Sequence, residues 1–415
     1  MVFGGISNQH ELMELFYTIF VVLAAWIGFQ LAFPFLTVLA SRIWGRERTG
    51  PSGPAVSDYA CIITAYQSCA LAKPLAESIL MQTHERLTVY LVADDCPETD
   101  FDIDDPRFVV LRPESPLRLK VKSIRYAVDR FIRPHGYTVV FDADNLIHPR
   151  FLEVINGYVA AGYRCIQGQR TAKNLDSNFA AADSLGELYK NYIERYAPYL
   201  LGGSAVISGS GMATETSLYR AYLDSPDILE GQEKGKRMLQ EDKILQNFLL
   251  RRNERIGYAL GAICYDEKVS TGKAVETQRS RWLFSYFQNI PNALGILRRG
   301  VTGLHANQLF FGIVTLALPM FIQLGMAMFL IVAGYWVSPW ISVALVVATA
   351  VFGSNVLWTL RLSNASAAVW RAVWSVPGFI SRQMLSLLKM GNPDKHFRHS
   401  EHKNAVSVHD LLNKP

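Results

Sequence analysis

Apolar residues are spaced differently in successive stretches of the chain, and each spacing predicts its own kind of element. Leu15–Ser41 holds no charged residue, and none occurs between Arg299 and Arg361. A helix needs about 20 apolar residues to cross the hydrocarbon layer. The first gap predicts one spanning helix over residues 15–41. The second predicts two more, over 309–336 and 340–360, paired as a hairpin that turns at Tyr335-Trp336-Val337-Ser338-Pro339-Trp340. Aromatic residues at such a turn would meet the membrane interface. Within residues 55–282 the apolar runs shorten. Tyr59–Thr64, Thr88–Ala93, Phe108–Leu111 and Thr138–Asp142 read as strands, and Leu71–Gln82 and Leu119–Phe131 as helices. Strands apolar on both faces and alternating with helices imply an α/β fold with a mostly parallel sheet. Over Ser363–Met390, Arg371, Ser375, Gly378, Arg382, Ser386 and Lys389 form a polar stripe opposite Trp370, Trp374, Phe379, Ile380, Leu385 and Leu388. This predicts a helix lying in the membrane surface, kinked at Pro377. Residues 283–304, which open with apolar and aromatic side chains, read as a second interfacial segment.

Composition sharpens this division. Of 415 residues, 50% are hydrophobic and 19% charged, where an ordinary soluble domain carries about a quarter charged. The deficit belongs to the two charge gaps. A disordered chain is excluded by the apolar content, and a disulfide scaffold by 5 cysteines with no C-x-x-C pair. No Lys or Arg precedes Arg42, and then Arg42, Arg46 and Arg48 arrive together. The positive-inside rule therefore puts residues 1–14 outside and both residues 55–282 and the tail 391–415 in the cytoplasm of a multi-pass membrane protein. The first span lacks the basic leader of a cleavable signal peptide. A net charge of +5 suits a cytoplasmic membrane surface and does not point to nucleic acid.

Ligands of such sheets bind beyond the carboxyl ends of the strands. Acidic residues stand there: Asp94-Asp95 after the second strand and Asp142-Ala143-Asp144 after the fourth. In an extended segment Asp142 and Asp144 would project to one side, as hard oxygen ligands for Mg2+ or Mn2+. A turn would also account for them. Asp94 and Asp95 fit a nucleotide contact or turn chemistry before Pro97. Glu241-Asp242 opens a helical run, where an acid either caps the helix or serves as a general base. Gln278-Arg279-Ser280-Arg281-Trp282 reads as an interfacial anchor, or as a phosphate clamp beside a platform for a sugar ring. His396, His399 and His402, set among Lys and Arg, read as a basic tail near anionic lipid.

Taken in order, Asp94, Asp142-Ala143-Asp144, Glu241-Asp242 and Gln278–Trp282 resemble the motif set of the membrane-bound family 2 glycosyltransferases. That group includes cellulose, hyaluronan and chitin-type synthases and the ceramide glucosyltransferases, and the resemblance spans essentially the whole chain. It implies a Rossmann-like GT-A domain held by transmembrane helices. By position, Tyr66, Asp94, Asp95, Lys122 and Asp142 resemble donor-contacting residues, and Asp144 with Asp142 the metal carboxylates. Asp242 resembles the catalytic base. Gln278, Arg279, Arg281 and Trp282 are similar to the acceptor and diphosphate site. Gly209 and Ser210, within Ile207–Gly211, resemble a segment lining the acceptor path. Phe397, Ser400 and His402 are similar to a gating loop. Two departures stand out: Thr64-Ala65-Tyr66-Gln67-Ser68 lacks the family's Glu after the first strand, and Gln240 replaces the commoner Thr or Gly before Glu241.

The resemblance implies inverting transfer from a UDP-sugar, assisted by Mg2+ or Mn2+, to a growing β-linked polysaccharide. A membrane lipid, as in ceramide glucosyltransferases, is the alternative acceptor. The bilayer is an implied partner, and a second copy or a secretion partner would complete an exit path. A non-catalytic scaffold would have no need of these acids together with Gln278–Trp282. A transporter is disfavoured because neither long apolar run holds an ionisable residue to couple ions.

Overall fold

The computed structural model describes residues 3–50, 57–233, 240–388 and 410. The expected gating loop at Phe397, Ser400 and His402 lies outside these residues. The chain divides into two units, Met1–Trp44 with Ala317–Ala365, and Gly45–Leu316 with Ser366–Pro415.

The first unit is helical. Phe3–Trp44, Met320–Val337 and Pro339–Leu362 are its helices, and all three are long and apolar enough to cross a membrane. The last two fold back on each other at Ser338. The Ser342 hydroxyl donates to the Ile331 carbonyl (2.7 Å), and a Cβ on Gly334 would come within 2.6 Å of the Ser342 Oγ. The expected single helix over 309–336 is two. It breaks between Thr315 and Met320, where Pro319 is extended at the helix start. Proline cannot continue the helix behind it, and the apolar residues on either side of Pro319 hid the break from hydropathy.

Eight strands form one sheet in the second unit: β1 Tyr59–Tyr66, β2 Leu87–Asp94, β3 Phe108–Leu111, β4 Tyr137–Asp142, β5 Leu146–Ile147, β6 Cys165–Ala172, β7 Met212–Glu215 and β8 Ile256–Asp266. Their order is β3-β2-β1-β4-β7-β6-β8-β5. β3, β2, β1 and β4 run parallel, β7 runs antiparallel to β4 and β6, and β6 pairs parallel with β8. β2 is buried at every residue, as a strand covered on both faces must be. The register pairs Tyr66 with Asp94 and Thr64 with Asp142. That brings Tyr66, Asp94 and Asp142 to one edge, at the carboxyl ends of three adjacent strands.

Two expectations change at the C-terminal side of this unit. Helix Gly272–Thr302 runs unbroken through the motif Gln278–Trp282 and the expected separate segment 283–304. It packs on Ala306–Thr315 so closely that a Cβ on Gly300 would lie 2.3 Å from the Leu309 backbone. The expected surface helix over 363–390 is Ala367–Ala372, a 3-10 turn Val373–Ser375, and Val376–Leu388, with Pro377 at the start of the last helix instead of inside a kink. Phe379 and Ala372 are buried against Ala181, Ala182 and Val275, so part of the expected lipid face packs on protein. Trp374 remains exposed.

Candidate active site

β4 ends at Asp142, and the chain turns at once. The Asn145 amide donates to the Asp142 carbonyl (3.0 Å), and the Asn145 Oδ1 accepts from the Asp142 amide (3.0 Å). Asp144 therefore lies in a turn, not in the extended segment its spacing suggested. Both acids keep partial exposure while Asn145 is buried beneath them.

The Lys173 Nζ donates to the Asp144 carbonyl of this turn (3.1 Å), and facing the turn from helix Lys120–Val128 is its first residue, Lys120. Its Nζ lies 2.7 Å from Asp142 and 3.5 Å from Glu241, and donates to the Gly209 carbonyl at 2.9 Å. Burial works against its charge, but Asp142 and Glu241 more than reverse that and hold it protonated. Lys122 was the expected donor-contacting lysine. Two residues on, it lies roughly 200° around the helix and makes none of these contacts. The sequence Lys120-Val121-Lys122 offers both, and only the point where the helix begins decides between them.

Helix Glu241–Arg251 begins with the acid pair. Its N-cap is Gln240, which makes no side-chain capping bond, so neither Glu241 nor Asp242 is there to cap. The Lys243 amide donates to the Asp242 Oδ1 (2.8 Å). The Asp242 Oδ2 faces Gly209, where a Cβ would stand 3.8 Å away. Gly209 has φ +85°, a conformation that glycine adopts at no steric cost. Burial pushes the Glu241 carboxyl up to about 7, against the pull of Lys120.

Other expected site residues have structural partners. The two oxygens of buried Asp94 accept from the Leu117 and Arg118 amides, each at 2.8 Å, so Asp94 shapes the loop before Lys120. Asp95 is exposed with φ +57°, and Tyr66 is half-buried at the strand end. Ser210 is fully buried, and its hydroxyl donates to the Asn145 Oδ1. Arg279 is engaged by Asp183 and lies 4.5 Å from the centre of the Trp282 ring. Trp282 is 38% exposed, while Gln278 and Arg281 are half-buried.

A buried polar network, not foreseen from the sequence, joins the motifs. The Asn145 amide group donates to Asp266 (3.2 Å) at the end of β8, and Asp266 pairs with Arg170 and with Lys268 (3.1 Å). Lys268 reaches Glu187 (3.7 Å), which also pairs with Arg195 (3.1 Å). Burial alone would raise the Asp266 carboxyl, but Arg170 and Lys268 hold it down at about 2. Glu187 and Asp183 share helix Asn178–Lys190, and Asp183 holds Arg279. Polar contacts, joined across helix Asn178–Lys190, thus connect the Asp142 turn to the base of the Gln278–Trp282 motif. The only signal in sequence was Asp266-Glu267-Lys268 closing an apolar run.

A family model described as "Glycosyltransferase like family 2" matches residues 54–285, more than half of the chain. The chain belongs to this glycosyltransferase family. The mannosyltransferase PcManGT from Pyrobaculum calidifontis, solved in complex with GDP-Man and Mn2+, is similar in structure at 14% identity and a TM-score of 0.53. The match covers 90% of this chain and 98% of that one. S. aureus TarS overlaps at 15% identity and a TM-score of 0.38, over 58% of this chain and 40% of its own. No curated protein matches the chain in sequence. This glycosyltransferase thus carries the GT-A-like mixed sheet of its family, together with apolar helices near the N-terminus and towards the C-terminus.

Proposed function

We propose that this glycosyltransferase moves a sugar, with inversion, from a UDP-sugar to a hydroxyl of a growing β-linked polysaccharide, and that Asp242 is its base. The observation that carries the reading is the convergence on Lys120 of Asp142, Glu241 and Gly209. It joins the donor end of the sheet to the helix start that holds Asp242. Asp242 takes the proton of the acceptor hydroxyl, and the oxygen attacks the anomeric carbon. The bond to the diphosphate breaks on the opposite face, and the nucleoside diphosphate leaves with the electron pair. General-base help of this kind is worth about 10²- to 10⁴-fold.

Asp142 and Asp144 suit a hard divalent ion, because both are carboxylates on a partly exposed turn that leaves room for phosphate oxygens and water. Mg2+ or Mn2+ held there would offset the charge of the departing diphosphate; the Mn2+ of PcManGT supports this use. Trp282 is the platform for the acceptor sugar, with Gln278 and Arg281 beside it. Tyr66 and Asp95 stand on the donor side. The cluster Arg42, Arg46 and Arg48 supports a cytoplasmic position for residues 55–282 in a membrane-inserted chain.

A membrane lipid is the second acceptor reading. Only three helices among the described residues are long and apolar enough to cross a membrane, few for a polymer channel. Labelled UDP-sugars, with GDP-Man as the contrasting donor, incubated with the protein and Mg2+ or Mn2+ distinguish the readings. A product ladder supports the polymer and a single glycolipid supports the lipid. No metal-dependent transfer from any donor would sink both. Asp242→Asn should abolish transfer while donor binding persists; wild-type turnover would refute its role as base.

A further inference from the structure

We propose that Cys69, Cys96 and Glu98 form a binding site for a soft divalent cation, with Zn2+ the fitting ion, that ties the loop after β1 to the loop after β2. Cys69 follows β1 by three residues and Cys96 follows β2 by two. One ligand atom from each of the three side chains lies within 4.8 Å of the other two. Cys69 is buried, and Cys96 and Glu98 are half-buried. Neither cysteine is in a disulfide.

The carboxylate supplies the independent sign of a ligand. Glu98 Oε1 accepts from the Ser68 hydroxyl (2.9 Å). Its Oε2 is buried and makes no hydrogen bond of standard geometry among the described residues, although the Glu98 and Cys69 amides lie near enough to act on the carboxylate. An acceptor left unsatisfied in this way is costly, and a cation between it and the two sulfurs would satisfy it. Two thiolates and a carboxylate select Zn2+ over Mg2+ or Ca2+ by softness, and a water would complete its tetrahedron. Three anionic ligands exceed the ion's charge by one. Arg112 stands beside the set to offset the excess, donating to the Cys96 carbonyl (3.2 Å) and to the Glu98 carbonyl. The same two loops follow Tyr66 and Asp94, so an ion here would fix the backbone beside the donor edge. The site shares no residue with the transfer chemistry proposed above, and it can fail without that reading failing.

Co2+ and then Zn2+ titrated into the full-length chain, purified in reductant, test the assignment. A thiolate-to-cobalt charge-transfer band should saturate at one ion per chain and be displaced by Zn2+. A histidine-rich tail binding the same ions gives no such band. Cys96→Ser should abolish the band. Glu98→Gln, which keeps both thiols, should weaken Zn2+ binding by at least the roughly 10- to 100-fold that loss of a supporting group costs. Absence of the band in the native chain would overturn the proposal. So would a band unchanged in Cys96→Ser, Zn2+ affinity unchanged in Glu98→Gln, or a Cys69–Cys96 disulfide in the reduced preparation.

Discussion

Replacing Glu241 by Gln should make the protein more stable than the native chain, and by a wider margin at pH 8 than at pH 5. Burial raises the Glu241 carboxyl from 4.5 to about 7 in the folded protein. A group raised in this way contributes stability that is fully present below its unfolded value and is lost as pH rises through the folded one. Each tenfold change in proton affinity between the two states is worth about 1.4 kcal/mol, so the native chain forgoes up to about 3 kcal/mol above pH 7. At pH 5, with the carboxyl mostly protonated, the loss is about 1 kcal/mol. The side chain keeps 17% exposure, which lowers both figures. Glutamine retains the shape and cannot ionise, so its gain over the native chain should grow across this range. For a domain of this size about 2–4 °C accompanies each kcal/mol, and the gap in Tm at pH 8 should reach at most about 6–12 °C. Thermal unfolding of both proteins from pH 5 to pH 8 reads it directly. A difference in stability that does not change with pH would refute the burial of an ionisable Glu241 beside Lys120. So would a glutamine variant less stable at pH 8.

Three further outcomes follow from the same geometry. Lys120→Met should impair transfer far more than Lys122→Met, because Lys120 bridges Asp142 and Glu241 and Lys122 does not; steady-state kinetics of the two variants compare them, and equal effects would return the donor role to Lys122. Lys268→Met should cost about 1–3 kcal/mol in chemical denaturation, since it removes a buried cation from between Glu187 and Asp266 and leaves each with one arginine partner. A loss under about 1 kcal/mol would mean the network is solvated. Chelation of divalent cations should stop transfer, and Mn2+ or Mg2+ should restore it, whereas Asp144→Asn should leave an enzyme that added metal rescues poorly.

The elements that sequence made legible are those whose residues serve one purpose. β1, β2 and β4 are continuous apolar runs because helices cover them, β3 is a half-buried apolar edge strand, and the ends of all four fall within two residues of expectation. β6 was not visible, since Gln167 and Arg170 interrupt its apolar pattern. Those residues are needed inside: Gln167 donates to the Ser210 carbonyl (2.9 Å), and Arg170 to the Ser208 carbonyl (2.7 Å). β5 is two residues long, too short for any pattern to show, and β7, four residues like β3, ends in Thr214-Glu215 where β3 is apolar throughout. The same tension explains the site. Asp94, Asp142 and Asp242 could be found because they follow a strand or open a helix, where an acid stands out. Lys120, Asn145, Asp266 and Glu187 could not, because each acquires its importance from partners distant in sequence, such as Asn145 with Asp266, 121 positions apart.

The acid pair shows how geometry separates readings that sequence leaves level. Glu241-Asp242 before an apolar run fits a cap as well as a base. A capping acid would sit outside the helix with its oxygen on an amide two or three residues ahead. Here Gln240 occupies that place, and Asp242 is the second helical residue. Its Oδ1 takes the amide of the very next residue, and its Oδ2 is turned to Gly209. Gly209 in turn presents its carbonyl to Lys120 and needs its positive φ to do so. A residue with a Cβ at 209 would stand against Asp242 and strain that turn together. Gly209→Ala should therefore lower transfer without weakening the fold by more than about 1–3 kcal/mol, the usual strain at such a position. Kinetics alongside denaturation check the pairing. An alanine variant that unfolds less easily, or that transfers as well as the native chain, would break the link between the glycine turn and the proposed base.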